Sequence, residues 1–176
     1  MDVPVDPDTL TVAVESLRTR IPARVLHRAT IFTSPASRCL SLACELAAPR
    51  RARIVEELHE MHFGVWEGLS WKTVPRVELE DWAVNVWTYR PGGGESATMV
   101  AVRWRRCVAR FAAEIAERGA PAIAVTHAGL IRAALAGDSR TNSLLALDVP
   151  FVSIHRLDTA TLRMDGDKVS ASRACT

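Results

Sequence analysis

The 176-residue sequence predicts an α/β layered sheet with mostly parallel strands, on three observations. The stretch AIAVTHAGLIRAAL, residues 122–135, is an apolar run that stops at His127, passes a glycine and turns amphipathic. That pattern reads as a buried parallel strand followed by a helix. RATIFTSP repeats the strand-to-helix arrangement earlier in the chain. Between the two lies a long amphipathic segment, in which Val100, Trp104, Cys107, Val108, Phe111 and Ile115 fall on one stripe suited to covering a sheet.

Taken in order, Leu10, Ala13, Val14, Leu17 and Ile21 fall at helical spacing after Asp8, a good N-cap, and predict a helix over residues 9–20 that ends at Pro22. A β-rich strand then runs to Thr33. Ser34 and Pro35 supply the N-cap and first-turn proline of a helix through Ala47. Residues 53–94 have no clean period and hold Trp66, Trp71, Trp82 and Trp87, four of the five tryptophans, which suggests an insertion of short helices and loops covering a site. RPGGGES closes it, and Glu95 or Ser96 caps the longest helix. The arginines of that helix, among them Arg103, Arg105, Arg106 and Arg110, read as a solvated face. The helix after His127 is expected to end near Gly137, and residues 138–150 are loop-like. VPFVSIHRLD and TATLRM are predicted as two edge strands, with MDGDK as a hairpin turn. Residues 1–176 thus form one domain, with 53–94 inserted over its site.

Composition excludes several classes. Twenty-two basic and twenty acidic residues leave a net charge of +2, too little for the footprint of a nucleic-acid binder, so a small-molecule partner is expected. The four cysteines show neither C-x-x-C nor zinc-ligand spacing, which fits reduced thiols in a cytoplasmic protein without metal or other cofactor. MDVPVDPDTL lacks the basic start and apolar core of a secretory signal, and no apolar run approaches the roughly 20 residues of a bilayer span. Oligomeric state leaves no signature in the sequence.

Three segments carry chemistry. His127 sits at the C-terminal end of its strand, where open α/β sheets bind ligands and where a following helix offers free N–H groups to a phosphate. A strand-end histidine that only caps a loop is the competing reading. Arg38, in the first turn of the helix after IFTSP, would converge with that helix's N-terminus on one anion, unless it is simply a surface arginine. In ELHEMHFGVWEG, Glu60 lies among aromatics, where desolvation raises a carboxyl pKa and lets it serve as a general acid. His59 and His62 flank it without the H-E-x-x-H spacing of a metal site. Glu95, Ser96 and Trp66 are further substrate-contact candidates, although helix capping and core packing explain them equally well.

The strings TSPASR, ELHEMHFGVWEG, RPGGGES and AVTHAGLIRAAL, in this order, resemble the histidine phosphatase superfamily, also called phosphoglycerate mutase-like. Within it they are most similar to the alpha-ribazole phosphatase branch of cobalamin biosynthesis. The resemblance implies a three-layer fold with helices on both faces of the sheet. It also implies hydrolysis of a phosphorylated small molecule through a phosphohistidine, without a metal. Carried over by motif, Arg38 binds phosphate, Glu60 donates the proton and His127 is the second histidine, which holds phosphate oxygens.

Two departures qualify the resemblance. The family's first central strand ends in Arg-His-Gly and supplies the nucleophile; no such string occurs here, and the chain starts too late to contain it. Ala128 also stands where the family usually has glycine. The expectation is a phosphatase-like chain that is inactive as written and unstable or rearranged, with a non-catalytic phosphate-binding remnant as the alternative. A phosphoglycerate mutase ranks below both.

Overall fold

A computed structural model describes residues 2–136 and 142–157. The elements are helices α1 (Pro7–Arg20) and α2 (Ala23–Arg28), strand β1 (Thr30–Thr33), helix α3 (Ser37–Ala47), strand β2 (Arg53–Ile54), helices α4 (Arg76–Val84) and α5 (Ala97–Arg118), strand β3 (Ala122–Val125) and helix α6 (Ala128–Ala136). The strands form one parallel sheet in the order β2-β1-β3, with Thr30 opposite Ala122 and Thr33 opposite Val125. Because side chains alternate along a strand, Ile31 faces one layer and Phe32 the other. Ile31 packs with Val14, Leu17, Cys39, Ala43 and Leu46 of α1 and α3. Phe32 packs on the opposite face with the α5 stripe, its ring 4.1 Å from that of Phe111, and with Leu130 of α6. The predicted α/β class, parallel sheet and helices on both faces are therefore realised.

The local reasons are largely those in the sequence, with shifts. Asp6, not Asp8, caps α1, its carboxylate accepting from the Thr9 N–H at 2.9 Å, and Pro7 occupies the first turn. Ser96 caps α5, as expected, and Gly119 ends that helix in the left-handed conformation. Ser34 does not cap α3. The helix begins two residues later than predicted, behind Ala36, and the Ser34 hydroxyl accepts instead from the Ala36 N–H and turns inward. The short α2, after Pro22, has no counterpart among the expected elements.

Residues 53–94 contain β2, α4 and three short 3₁₀ turns, Glu56–Leu58, Gly64–Trp66 and Pro91–Gly93. The last two meet backbone to backbone: a Cβ on Gly64 would fall 1.9 Å from the Gly92 carbonyl oxygen, and one on Gly94 would fall 2.0 Å from that of His62. Only glycine fits such an approach. The tryptophans of this segment pack largely against other aromatics. Trp71 and Trp82 stack at 5.7 Å, Phe63 meets both edge-on, and Trp66 packs on Trp82 and Tyr89.

The segment VPFVSIHRLD is not a strand where it is described: residues 149–157 are a turn and irregular chain. A strand exists only by pairing with another edge, and among the described residues no such pairing engages this segment. TATLRM and MDGDK lie outside the described residues.

Candidate phosphate site

The C-terminal ends of β1 and β3 bring Arg38, Glu60 and His127 into one cavity, which all three line. Each is placed by a different local device. β3 ends at Val125, and α6 begins at Ala128, so His127 sits in the turn between them. Arg38 is the second residue of α3, which leaves β1 at Thr33 through Ser34 and Pro35. Glu60 follows a 3₁₀ turn, Glu56–Leu58, whose Leu58 carbonyl accepts from the Thr126 hydroxyl at 2.7 Å and is thereby tied to the end of β3.

His127 is buried, and both of its ring nitrogens are engaged. Nδ1 lies 2.9 Å from Arg38 Nη2, and Nε2 lies 2.8 Å from the Ser34 hydroxyl. Arginine has only donors, so Nδ1 must carry the lone pair and Nε2 the proton. Burial, followed by the neighbouring Arg38 cation, pushes the pKa of His127 down to about 4. The imidazole is thus neutral at physiological pH. Cys39 packs 3.6 Å from the same ring, but burial raises its thiol to about 11, so it remains a protonated neighbour and no thiolate nucleophile.

Glu60 Oε1 accepts from the backbone N–H groups of Met61 at 2.8 Å and Gly129 at 3.1 Å. Those bonds favour the carboxylate, yet burial outweighs them and the pKa is raised. A carboxyl held in reach of its protonated form, beside a guanidinium and a helix N-terminus, has the character of a proton donor next to an anion site.

A carboxylate of the chain lies on the first residue of α3. Asp2 accepts from the Ser37 N–H at 2.8 and 3.1 Å through its two oxygens and from the Ser37 hydroxyl at 3.0 Å, with Arg38 Nη1 at 3.5 Å. The Ser37 N–H bond is the first cause of a lowered Asp2 pKa. One exposed acid of the chain therefore occupies the α3 N-terminus and a guanidinium together, a pair of features suited to an anion.

The remaining predicted residues lie elsewhere. Glu95 is half-buried, but its carboxylate pairs with Arg103 at 2.9 and 3.1 Å and accepts from the His62 N–H at 3.0 Å. Burial raises its pKa, and the Arg103 bonds overcome that and lower it. Ser96 is consumed by capping α5. Trp66 is buried in the aromatic cluster, donates its indole N–H to Glu78 at 3.2 Å, and does not line the cavity. Arg103, expected on a solvated face, has a side chain only 11% exposed. It also donates to the carbonyls of Glu57 and His59, so it fastens the loop that carries Glu60 to α5. Sequence reading misses Ser34, Asp2 and Arg103 as parts of the site. Ser34 is visible in the sequence only as a helix cap, and the other two act over distances in the chain that no local spacing reveals.

Among the described residues no group of His, Cys, Asp or Glu is arranged to hold a metal ion, and no helix is long and apolar enough to cross a membrane. The fold is similar to that of several solved proteins. A mycobacterial glucosyl-3-phosphoglycerate phosphatase with inorganic phosphate superposes with a TM-score of 0.69 at 28% identity, over 84% of this chain and 76% of that one. Its native structure gives 0.64 at 30% identity, over 77% and 68%. TTHB049 from Thermus thermophilus gives 0.58 at 27%, over 77% and 70%. Among curated proteins none matches significantly. Residues 12–164 match the model of the histidine phosphatase superfamily, branch 1, and the chain belongs to that family.

Proposed function

We propose that this chain binds the phosphoryl group of a phosphorylated small molecule at the Arg38, Glu60 and His127 cluster. The observation that carries the reading is the Asp2 carboxylate on the Ser37 N–H beside Arg38, an anion held at a helix N-terminus next to a guanidinium that lines one cavity with Glu60 and His127. In this reading Arg38 and the first N–H groups of α3 take phosphoryl oxygens. On ligand binding the His127 Nε2 proton turns from the Ser34 hydroxyl to a third, and Glu60 protonates the leaving alkoxide. Preorganised donors of this kind supply most of the catalysis in phosphoryl transfer.

Hydrolysis also needs an attacking group. In the family resemblance this is the histidine of Arg-His-Gly, which breaks the ester P–O bond as a new N–P bond forms, water later cleaving the phosphohistidine. The sequence has no such string, and His127 is engaged at both nitrogens. The chain by itself therefore binds without turnover. With that histidine supplied, it is a phosphomonoesterase.

Two substrate readings follow. Alpha-ribazole 5'-phosphate is supported by the FGVWEG and PGGGES strings and by the insertion's aromatic cluster, in which Trp71 stays exposed and offers a face for a flat base. A glucosylated phosphoglycerate is favoured by similarity to the mycobacterial phosphatases. Titrating the 176-residue protein with inorganic phosphate and orthovanadate in a calorimeter tests the site itself. Saturable binding lost in Arg38→Ala supports it; absent binding, or binding indifferent to Arg38, overturns it. Release of phosphate from either ester by the chain alone would overturn the non-catalytic reading.

A further inference from the structure

We infer that the cavity at the opposite end of β1 is a second anion site, which takes the linked phosphates of a di- or triphosphate. It is independent of the Arg38 site and of what that site binds.

The first argument is place. Arg38 follows the end of β1 at Thr33, whereas this cavity is lined by Thr30, where the strand begins, and by Arg53, where β2 begins. A strand of this length spans about 10 Å. A ligand here therefore sits at the N-terminal edge of the sheet, away from Arg38. The cavity holds about 440 Å³, inside the ~300–1,000 Å³ of small-molecule pockets.

The second argument is charge. Among the described residues its charged lining is Arg28, Arg50, Arg51, Arg53, Arg118 and Glu114. Five arginines against one glutamate leave +4 in a single cleft, while the whole chain carries only +2. Cations gathered in this way repel one another, and a multivalent anion relieves that repulsion more than a monovalent one does.

The third argument is that the guanidinium groups are held in place without being neutralised. Arg28 Nη2 donates to the carbonyl of Gly119, the C-cap of α5, at 2.8 Å. Arg50 donates to the carbonyls of Leu26 and, at 2.7 Å, of Ala29, the C-cap of α2. Carbonyls at helix C-termini attract cations, but such a bond orients a guanidinium and leaves its charge intact. Arg53 and Arg118 share one oxygen of Glu114, with Arg118 Nε at 3.2 Å. One carboxylate between two guanidinium groups leaves a positive charge over. Arg53 also stands 5.4 Å from the centre of the Phe32 ring.

These features select the ligand. A guanidinium carries five N–H donors in a planar fork that matches phosphate oxygens two at a time, so a group anchored through one or two of them still presents others. The arginines come from α2, the chain after α3, β2 and α5, and surround the cleft. Linked phosphates engage more of them than a single phosphate can. The enclosed volume suits a compact ligand, and the small net charge of the chain disfavours a nucleic-acid polymer.

The test titrates the 176-residue protein with inorganic triphosphate, pyrophosphate and orthophosphate. Backbone amide shifts of Thr30 and Ala120 report the cavity, and those of Ser37 and Gly129 report the Arg38 site. Saturable shifts at Thr30 and Ala120 are expected, with triphosphate at least about tenfold tighter than orthophosphate and weaker as salt rises. Arg51 and Arg118 are exposed, and among the described residues neither anchors a backbone carbonyl. Arg51→Gln combined with Arg118→Gln should therefore weaken triphosphate by about tenfold or more, with the remaining amide spectrum unchanged as the check on folding. Arg38→Ala should leave cavity binding as it was. Adenosine triphosphate separates the sources: affinity no tighter than that of triphosphate assigns a free oligophosphate, and tighter affinity assigns the phosphate chain of a nucleotide. Absent shifts at Thr30 and Ala120, orthophosphate or citrate bound as tightly as triphosphate, indifference to the double variant, or loss in Arg38→Ala each overturns the proposal. Absent shifts at Ser37 and Gly129 alone remove only the Arg38 reading.

Discussion

Arg38 and His127 hold one another in a single protonation state: Nη2 donates to Nδ1 at 2.9 Å, and the imidazole proton is left on Nε2, facing Ser34. A guanidinium that stays charged at every accessible pH thereby fixes the tautomer of a histidine 89 residues away in the chain.

Nitrogen-resolved NMR should find His127 as the Nε2–H tautomer throughout neutral pH. Its folded pKa, about 4, lies below the ordinary 6.5. The unfolded state then takes up the proton first as pH falls. Stability contributed by neutral His127 is complete above 6.5 and is lost between 6.5 and about 4. Urea melts across that window should show the loss, and His127→Gln should flatten it.

Glu60 carries the opposite sign. Its raised pKa means that stability is fully present below the ordinary value of 4.5 and declines as pH rises through the folded value. Glu60→Gln keeps an acceptor for the Met61 and Gly129 N–H groups without the charge. The variant should gain stability relative to the parent as pH rises from the ordinary 4.5 through the folded value, by denaturant midpoint. A constant difference across that range would contradict the raised pKa.

Asp2→Asn should tighten phosphate binding. The carboxylate competes for the Ser37 N–H and for Arg38, and an anion at a helix N-terminus is worth roughly a two- to fivefold change in affinity. Calorimetry at low salt reads it, and the gain should shrink as salt rises.

Gly129→Ala places a Cβ 2.4 Å from Glu60 Oε1 and 3.3 Å from Met61 Cβ. The carboxyl must move and surrender the Gly129 N–H, at a cost of about 1–3 kcal/mol. A lower thermal midpoint and a changed Glu60 titration are expected together.

Arg103→Met should leave the His127 tautomer intact and loosen the loop before Glu60, because the Glu57 and His59 carbonyls and the Glu95 carboxylate lose a common donor. Hydrogen exchange of residues 57–62 should accelerate. Removing one partner of an enclosed ion pair typically costs about 3–5 kcal/mol, so an unchanged melting temperature would contradict this tethering role.

The two strand-to-helix units are legible because each writes its geometry locally: an apolar run, a polar residue at its end, then helical spacing. They carry Arg38 and His127 with them. Glu60 is found through the aromatic residues around it in the sequence, although its pKa is raised by burial against the opposing pull of the Met61 and Gly129 N–H groups, which no spacing displays. Ser34 is ambiguous because a serine before a proline suits a cap as well as an inward hydroxyl. Asp2 and Arg103 act through contacts across 35 and 46 residues of chain. VPFVSIHRLD has strand composition, but pairing depends on an available neighbour and not on composition alone.

The turns at Gly64 and Gly92 touch through main chain alone, so neither can be exchanged for a longer or bulkier loop unless the other is redrawn with it. They behave as one heritable unit written in two places. Transplanting the aromatic segment into a relative to alter its choice of ester would require carrying the triple glycine along; a chimaera that takes only one half receives a lock without its key.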